Sequence, residues 1–235
     1  MQPTTPSNCM ICPYRQRCFF DHLDIPSKKE WIAMRKARVH PEDSAIFHEG
    51  DIAQGVLIVC EGKVKIFKTT RMGKTLTTKV LPPGSLFGYR SLFAQEPYSA
   101  SAAAFTDAVV SRIEARNFVP FLKRHWPATL KLLEVLCQSV RQSEDKARDI
   151  AFSSAKSRLA QALLTFVKKD DKNLIVTTER KELAQIAGIV PETCVRLLDK
   201  FEIKKLLKRP DRKSIEILDY SGLQKIAGGA LSASQ

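Results

Sequence analysis

The chain has no long apolar run and no recognisable export signal. Nowhere do about 18 consecutive apolar residues occur, which is the length that a membrane-spanning helix requires. Residues 1–7 are polar and contain proline, and they lack the charged and apolar regions of a secretory signal. We therefore expect a cytoplasmic protein that does not insert into a membrane.

Histidine is also scarce, since the 235 residues include only four, and these are scattered along the chain. The sequence shows no recognisable set of nucleophile, base and orienting acid, and no phosphate-binding loop. It therefore gives no reason to expect an enzyme.

Acidic residues are under-represented relative to basic ones. The 38 lysines and arginines outnumber the 25 aspartates and glutamates, which gives a formal net charge of +13. A surplus of this size favours a polyanionic partner, nucleic acid before an anionic membrane. Many of the basic residues lie in the segment 200–213, a pattern that is also typical of a solvated surface.

Short β-strands separated by glycine turns are predicted between residues 45 and 113. Glycines recur at intervals of 12, 11 and 11 residues, at Gly50, Gly62, Gly73 and Gly84. This spacing of turns is typical of an antiparallel barrel or roll. The intervening segments are rich in β-branched residues, and no long helices alternate with them. The sequence therefore predicts an α+β protein with an N-terminal antiparallel β-roll over 25–126.

A long helix is predicted over 127–154, where the apolar spacing changes to alternating steps of three and four residues. Such a seam is typical of a coiled coil between two copies of a chain. We therefore predict a homodimer, with a helix packed on its own roll as the alternative. The predicted seam residues are Leu133, Leu136, Val140, Ala147 and Ile150.

Residues 155–227 are predicted to form a winged helix-turn-helix. Thr178 is the expected N-cap of its first helix, Gly188 lies at the turn, and Pro191 starts the second helix. A strand, a basic turn and another strand follow as the wing, and 228–235 are predicted to be a flexible tail. The residues of the second helix that we expect to face the core of the domain are Cys194, Val195, Leu198 and Phe201.

The second helix carries candidate DNA contacts at its N-terminal end, the end by which a recognition helix enters the major groove. Glu192 and Arg196 lie four residues apart on one outward face. Arginine can bind guanine O6 and N7 together, and glutamate can accept a hydrogen bond from cytosine N4. An ion pair between the two side chains is the alternative interpretation. The predicted contacts to the DNA backbone are Thr193, Lys200, Lys208, Arg209, Arg212 and Lys213.

Three of the six cysteines occur close together near the N-terminus, as Cys9-x2-Cys12-x5-Cys18. Clustered cysteines in a reducing compartment are typical of metal sites or redox sensors. Thiolates favour iron–sulfur or zinc centres, and His22 completes an acceptable Cys3His zinc set. A thiol–disulfide switch and a segment without any ligand remain open. We therefore predict a cysteine-bearing arm over 1–24.

With these features in view, the chain resembles the Crp/Fnr family of bacterial transcription regulators along nearly its whole length. The resemblance is carried by I-F-H-E-G-D at 46–51, L-I-V-C-E-G-K-V-K-I at 57–66, P-G-S-L-F-G at 83–88 and E-L-A-x-x-A-G-x-x-x-E-T-x-x-R at 182–196. Such proteins combine an effector-binding β-roll, a dimerising helix and a winged helix-turn-helix. The resemblance implies that a homodimer binds palindromic double-stranded DNA, that Glu192 and Arg196 read a half-site with a T-G-A core, and that RNA polymerase is a partner.

Two positions depart from the cyclic-nucleotide members of that family. Those members carry a glutamate for the ribose after F-G and an Arg-Ser pair for the phosphate further on. Here Tyr89 and Arg90 follow F-G, and the later pair is Tyr98 and Ser99. We therefore expect that a cyclic nucleotide is not the effector.

The Fnr branch of the family has the same spacing of N-terminal cysteines, so the resemblance implies that Cys9, Cys12 and Cys18 bind an oxygen-labile [4Fe–4S] cluster. The fourth cysteine of that branch is expected at position 111, where this chain has serine. Singly, Cys60, Cys137 and Cys194 are each interpreted as buried apolar residues. The candidates for a replacement fourth ligand are Cys60, Cys137, Asp21, His22 and Asp24.

The functional hypothesis is a transcription regulator that senses oxygen or a related redox signal through this cluster. An intact cluster orders the arm and favours the dimer, and oxidation weakens binding to DNA. The alternative keeps the DNA-binding fold but places a small metabolite or haem in the β-roll. In that case the cysteines bind zinc or act as a thiol–disulfide switch.

Overall fold

The computed structural model describes residues 9–170, 173–211 and 213–228, and the chain divides into two compact units. One unit comprises Met1–Thr70 with Thr78–Arg141, and the other comprises Arg71–Thr77 with Gln142–Gln235. The predicted tail lies outside the described residues from 229 onward, as do the first eight residues of the predicted arm. Among the described helices, none combines the length and apolarity that a membrane crossing needs.

The strands of the N-terminal half form two sheets, with orders β1-β8-β3-β6 and β2-β7-β4-β5. Strand β8 pairs antiparallel with β1 and β3, and β7 pairs antiparallel with β2 and β4. This arrangement confirms the predicted α+β class with an antiparallel roll. The strands are β1 (Lys36–His40), β2 (Ala45–Phe47), β3 (Gly55–Glu61), β4 (Val64–Thr69), β5 (Thr75–Leu81), β6 (Leu86–Phe87), β7 (Ser101–Ala104) and β8 (Ala108–Glu114).

Strand β3 lies at the centre of the roll's apolar core, and its residues are buried from Gly55 to Cys60. Successive side chains of a strand point to opposite faces, so β3 serves two apolar clusters. Val56 and Ile58 pack in one cluster, and Leu57 and Val59 pack in the other. Burial of an aliphatic side chain stabilises the folded state by roughly 1.5–3 kcal/mol, so β3 is strongly fixed in the core.

Aromatic packing joins the helices of the N-terminal half to the arm. The Trp31 ring lies 5.0 Å from that of Phe19, 6.2 Å from that of Phe118 and 5.8 Å from that of Phe121. All four rings are buried in the same cluster as one face of β3. The helices are α1 (Ile25–Met34), α2 (Tyr89–Ala94), α3 (Ala115–Arg124) and the long α4 (Trp126–Phe152).

A hydrogen-bonded trio, not expected from the sequence, joins α1 to the junction of α3 and α4. Ser27 Oγ lies 2.7 Å from His125 Nδ1, and a Glu30 carboxylate oxygen lies 2.9 Å from His125 Nε2. These three residue types also occur in catalytic sets of nucleophile, base and acid, but here they lie too far apart in the sequence to form a recognisable motif. Ser27 is only 2% exposed, so its hydroxyl does not meet a substrate and the trio is a structural link.

Helix α4 ends at Phe152, before the predicted boundary at 154. The side chain of Ser154 accepts a hydrogen bond from the Ser157 amide at 3.1 Å, and so caps the following helix. An N-cap residue has a non-helical backbone, which prevents α4 from continuing through it.

The C-terminal unit contains the predicted helix-turn-helix and wing. Its sheet has the order β11-β12-β10-β9, and its core includes Leu163, Leu183, Leu198 and Phe201. Its helices are α5 (Ala155–Phe166), α6 (Arg180–Ala187), α7 (Pro191–Ile203) and α8 (Tyr220–Ile226). Its strands are β9 (Lys168–Asp170), β10 (Asn173–Thr177), β11 (Leu207–Lys208) and β12 (Ser214–Ile217).

Two local predictions in this unit are wrong. The N-cap of α6 is Glu179 rather than Thr178, because the Glu179 carbonyl accepts the hydrogen bond from the Leu183 amide of the helix at 3.0 Å. Val195 does not face the core but is 39% exposed, and Leu197 is buried instead. The other inward predictions, Cys194, Leu198 and Phe201, are confirmed.

Candidate functional site

Four cysteines line one cavity where the N-terminal arm meets the roll. Cys9, Cys12 and Cys18 come from the arm, and Cys60 comes from β3. Cys9 and Cys60 are buried, whereas Cys12 and Cys18 are half-buried. The structure therefore brings together the three cysteines grouped by the sequence and adds one that the sequence left as a candidate.

The arm reaches β3 because its second half packs into the roll's core. Short 3-10 turns at Arg15–Arg17 and Phe19–His22 place the rings of Phe19 and Phe20 in that core. Gly84 permits the close approach, because a Cβ there would lie 3.0 Å from the Arg17 carbonyl carbon. Its φ of +92° also favours glycine.

Cys60 occupies a bulge in β3. Val59 pairs with Val110 of β8, but the next paired residue of β3 is Glu61, so Cys60 is the extra residue. A bulge of this kind re-aims a side chain. The Cys60 Sγ lies 3.1 Å from the Oγ of Ser111, the position at which the resemblance places the fourth cysteine. The thiol on β3 and residue 111 on β8 are therefore immediate neighbours.

Arg35 brings positive charge to the two buried thiols. Its Nη1 donates to Cys60 Sγ at 3.7 Å, and its side chain also hydrogen-bonds Cys9. Burial raises the pKa of Cys9, partly offset by Arg35, and burial raises the pKa of Cys18 to about 11. Arg15 also lines the cavity, but its Nε pairs with Asp21 at 2.8 Å.

The other candidate fourth ligands are placed elsewhere. Asp21 is paired with Arg15, and Asp24 caps α1 by accepting a hydrogen bond from the Ser27 amide at 2.9 Å. His22 and Cys137 are exposed, so the interpretation of Cys137 as a buried residue is wrong. Helix α4 buries the neighbouring Ser139 instead, whereas Cys60 and Cys194 are buried as predicted.

The arrangement of the four cysteine thiols can be compared with the needs of a zinc site and of an iron–sulfur cluster. Across 9–170, 173–211 and 213–228, no group of three or more histidine, cysteine or acidic side chains is arranged to hold a metal ion. A zinc ion binds each sulfur at about 2.3 Å and so requires its ligands to be close together. An iron–sulfur cluster contains several metal atoms and its own sulfides, which separates its cysteine ligands. The four thiols that line one cavity match an iron–sulfur cluster in the number and type of its protein ligands.

The candidate base-reading residues project from the N-terminal half of α7. Glu192 and Arg196 are exposed, and within the described chain neither side chain forms a hydrogen bond or an ion pair. The alternative interpretation, an ion pair between them, is therefore wrong. Lys200 is likewise exposed on α7, and Thr193 is half-buried. Both charged groups on the leading turns of α7 are available to a ligand.

The wing residues differ in what they can offer DNA. Lys208 pairs with Glu216 at 2.9 Å and Lys213 with Glu179 at 3.3 Å, and both lysine side chains remain more than half exposed. Exposed pairs of this kind are weak, so a phosphate can compete for these lysines. Arg212 lies outside the described residues.

Arg209 has a structural role that conflicts with its predicted contact to DNA. Its Nη2 lies 2.6 Å from an Asp199 carboxylate oxygen, its Nε donates to Glu202 at 3.0 Å, and its side chain is 15% exposed. The guanidinium is engaged by two carboxylates of α7 and fastens the wing to the recognition helix. We therefore leave Arg209 out of the proposed phosphate contacts.

Replacing Arg209 by glutamine is expected to lower the free energy of unfolding at neutral pH by about 1 kcal/mol or less, the usual contribution of partly exposed ion pairs. The hydrogen bond from Arg209 lowers the pKa of the Glu202 carboxyl. The stabilisation by the Arg209–Glu202 pair is therefore fully present above the ordinary carboxyl pKa. It is lost as the pH falls through the lowered pKa of Glu202 in the folded protein. Denaturant titrations at neutral and acid pH measure this. The control is Lys200→Gln, which removes from the same helix a charge that has no ion-pair partner among the described residues. An Arg209→Gln effect that persists unchanged in acid contradicts the assignment.

Two further basic residues, missed by sequence reasoning, hold the helix-turn-helix in place. Arg158 on α5 donates to the carbonyl oxygens of Ala187 and Ser153, at 2.9 and 2.6 Å. Lys146 on α4 donates to the Ile186 carbonyl at 2.6 Å. The end of the long helix is thereby tied to the C-terminus of α6. No sequence signal distinguished these two residues from ordinary surface charges.

The predicted dimer seam is only partly exposed. Leu133, Val140 and Ile150 are 48%, 56% and 41% exposed, and Ala147 is exposed as well. Leu136 is half-buried and packs against the core of its own roll. The outward apolar stripe on the first half of α4 instead runs through Trp126, Leu130, Leu133, Cys137 and Val140, in steps of 4, 3, 4 and 3.

Aromatic rings pack together inside the roll, beside the position at which the resemblance to cyclic-nucleotide members places a phosphate-binding arginine. Tyr98 is buried, and its ring stacks on that of Phe47 with the centroids 3.7 Å apart. Phe87 lies 6.1 Å from Phe47 on the same side. Tyr89 is also buried, and Arg90 is exposed on α2. Tyr98 thus brings an uncharged ring to the position where those members have an arginine.

Two known domain families match the chain, one in its N-terminal half and one in its C-terminal half. The cyclic nucleotide-binding domain family matches residues 37–125, and the Crp-like helix-turn-helix domain family matches residues 157–226. The first match covers the strands of the roll, and the second covers the segment from α5 to α8.

Curated relatives share this organisation. The cyclic AMP receptor protein of Thermus thermophilus is 29% identical over 192 residues, which cover 82% of this chain and 88% of that protein. The cAMP-activated global transcriptional regulator CRP of Salmonella typhimurium is 25% identical over 186 residues, with coverages of 76% and 88%. The similarity therefore extends over both the roll and the helix-turn-helix.

Solved structures show the same fold. A transcriptional regulator of the CRP family from Thermus thermophilus aligns with a TM-score of 0.73 and 23% identity, covering 84% of this chain and all of that one. The c-di-GMP responsive global regulator CLP of Xanthomonas campestris aligns with a TM-score of 0.73 and 20% identity, covering 83% and 99%.

Proposed function

Because this chain belongs to the Crp/Fnr family of DNA-binding transcription regulators, we propose that it senses oxygen or a related redox signal through a [4Fe–4S] cluster bound by its N-terminal cysteines. Members of this family are regulators rather than enzymes and are typically homodimers. The observation that carries the proposal is the cavity in which Cys9, Cys12 and Cys18 meet a fourth thiol.

A series of packed aromatic side chains connects that cavity to the long helix α4. Phe19, directly after Cys18, stacks on Trp31, and Trp31 contacts Phe121 of α3. The ring of Phe121 lies 4.7 Å from that of His125, the residue directly before α4. A cluster held by Cys9, Cys12 and Cys18 would supply an oxygen-labile restraint on the arm. Restraint of the arm is then passed to α4 through packed rings, and its loss frees them.

DNA recognition forms the second part of the proposal. Glu192 and Arg196 read base edges of a T-G-A half-site, and Thr193, Lys200, Lys208 and Lys213 contact phosphates. The unpaired state of Glu192 and Arg196 supports this assignment. Two copies in a dimer present two such helices to half-sites one turn of DNA apart, which is the geometry of a palindrome. RNA polymerase is the proposed protein partner of the bound dimer.

An effector in the roll is the alternative. The match to the cyclic nucleotide-binding domain favours it, and two relatives are named for their response to cAMP. The stacked rings of Tyr98 and Phe47 oppose it for a cyclic nucleotide, because they add no cation for a phosphate. We therefore retain the cysteine cavity as the sensor and assign the roll a supporting role.

Anaerobic purification with iron and sulfide analysis tests the sensor. The proposal expects roughly four irons and four sulfides per chain, with visible charge-transfer absorption that fades in air. Stoichiometric zinc without visible absorption contradicts the sensor assignment and leaves the DNA-binding function unchanged.

Cys137 offers a test of the dimer. A parallel two-stranded coiled coil places a seam residue opposite its own copy, so an outward Cys137 between Leu133 and Val140 is expected to meet its counterpart. Mild oxidation or a short bismaleimide should give a covalent dimer on a denaturing gel, and Cys137→Ser should abolish it. As a control, Gln142→Cys in the Cys137→Ser background moves the thiol to an exposed position on another face of α4 and should not cross-link. Efficient cross-linking by the control, with none through Cys137, contradicts this seam.

A further inference from the structure

The geometry points to Cys60 as the fourth ligand of the cluster, in place of the residue at position 111. This inference rests on the proposed function, because it requires a cluster at the arm. Cys60 lies on a different strand from residue 111, and it belongs to the sequence-distant β3 rather than to the arm. It is the one candidate fourth ligand, among those described, that lines the cavity with Cys9, Cys12 and Cys18.

The placement of Cys60 differs from that of an ordinary buried cysteine. Cys194 is fully buried within the core of the C-terminal unit, as expected for a small apolar residue. Cys60 instead borders a cavity that three other thiols share, and a bulge sets its direction. A regular strand at this point would pair residue 60 with β8 and leave no extra residue to re-aim.

The neighbouring Ser111 explains how the fourth cysteine ligand can come from β3 instead of β8 and still reach the same cavity. Cys60 Sγ and Ser111 Oγ are 3.1 Å apart, so a thiol on either strand reaches the same side of the cavity. The two positions are alternative anchor points for one ligand. A cysteine on β3 therefore compensates for the serine on β8.

Arg35 completes the environment expected of such a ligand. Four thiolates and a cluster together carry net negative charge, which a partly buried site must offset. The Arg35 guanidinium is within hydrogen-bonding range of Cys60 Sγ and also bonds Cys9, so one cation faces a thiol of the arm and the thiol of β3. Hydrogen bonds to cysteine sulfurs are a recognised means of tuning an iron–sulfur centre.

The inference is tested by moving the thiol between the two strands. Wild type, Cys60→Ser, the double variant Cys60→Ser with Ser111→Cys, and Cys137→Ser as a matched control are purified and reconstituted anaerobically with iron and sulfide. Iron and sulfide per chain, the visible spectrum and the far-ultraviolet circular dichroism are then measured after desalting. These readouts report cluster content and folding and do not depend on DNA binding.

Cys60→Ser is expected to retain about a tenth of the wild-type cluster content or less, since loss of a residue that only supports a metal ligand already lowers metal affinity by about 10- to 100-fold. The double variant should regain most of the cluster, and Cys137→Ser should match wild type. A folded Cys60→Ser protein with a full cluster overturns the inference but leaves the proposed function standing. A wild-type protein that binds no iron overturns both. If Cys60→Ser does not fold, the double variant decides: a folded double variant that binds no cluster contradicts the inference.

Discussion

Arg196→Ala is expected to weaken binding to a duplex with two inverted T-G-A half-sites by about 1–3 kcal/mol per half-site, or about 5- to 150-fold for each. The reason is that an exposed and unpaired arginine on the leading turns of α7 can bind guanine O6 and N7 together. Discrimination against a half-site with its guanine replaced should fall as well. Fluorescence anisotropy on the matched and substituted duplexes at fixed salt measures both effects.

Lys200→Ala is the matched control for that experiment. Lys200 is an exposed cation on the same helix, and we expect it to contact phosphate. Its removal should weaken binding to every sequence about equally and reduce the slope of affinity against salt by about one per protomer. If Arg196→Ala behaves in this uniform way, it does not read a base and the assignment of α7 fails.

The second large effect is expected from changing Cys9, Cys12 and Cys18 to serine together. Regulators couple two sites by about 1–3 kcal/mol, so wild type should bind its palindrome about 5- to 150-fold more tightly before air exposure than after. The triple variant should bind at the air-exposed level under both conditions. Anisotropy titrations inside and outside an anaerobic chamber measure the two affinities.

The control for this variant is Cys194→Ser, whose thiol lies in the core of the C-terminal unit, away from the cavity. It should keep the oxygen response. An unchanged response in the triple variant favours an effector in the roll, and an affinity lost under all conditions points to misfolding, which circular dichroism detects.

The roll and the helix-turn-helix could be predicted because their signals are local. The four turn glycines all adopt positive φ, as their spacing indicated, and Gly188 ends α6 in the left-handed region. Pro191 begins α7, and the N-terminal cysteines, which lie close together in the sequence, line one cavity. Each of these features depends on residues close to it in the sequence.

The remaining features depend on contacts between distant segments. The meeting of Cys60 with the arm follows from a bulge in β3 and from the pairing of β3 with β8, and neither is visible as a sequence pattern. Ser27 and His125 are 98 residues apart, so their hydrogen bond could not be anticipated from spacing. Leu136 fits the predicted seam by period, yet the adjacent roll core takes up part of its side chain. Periodicity gives the faces of a helix but not which partner covers each face.

In the proposed mechanism, the cysteine cavity controls DNA binding through an oxygen-labile cluster. The most direct measurement follows one anaerobic sample of the full-length chain through exposure to air, recording visible absorption and affinity for the T-G-A palindrome together. The absorption and the affinity are expected to decline in parallel. Loss of the absorption with no change in affinity, or no absorption at any stage, contradicts it.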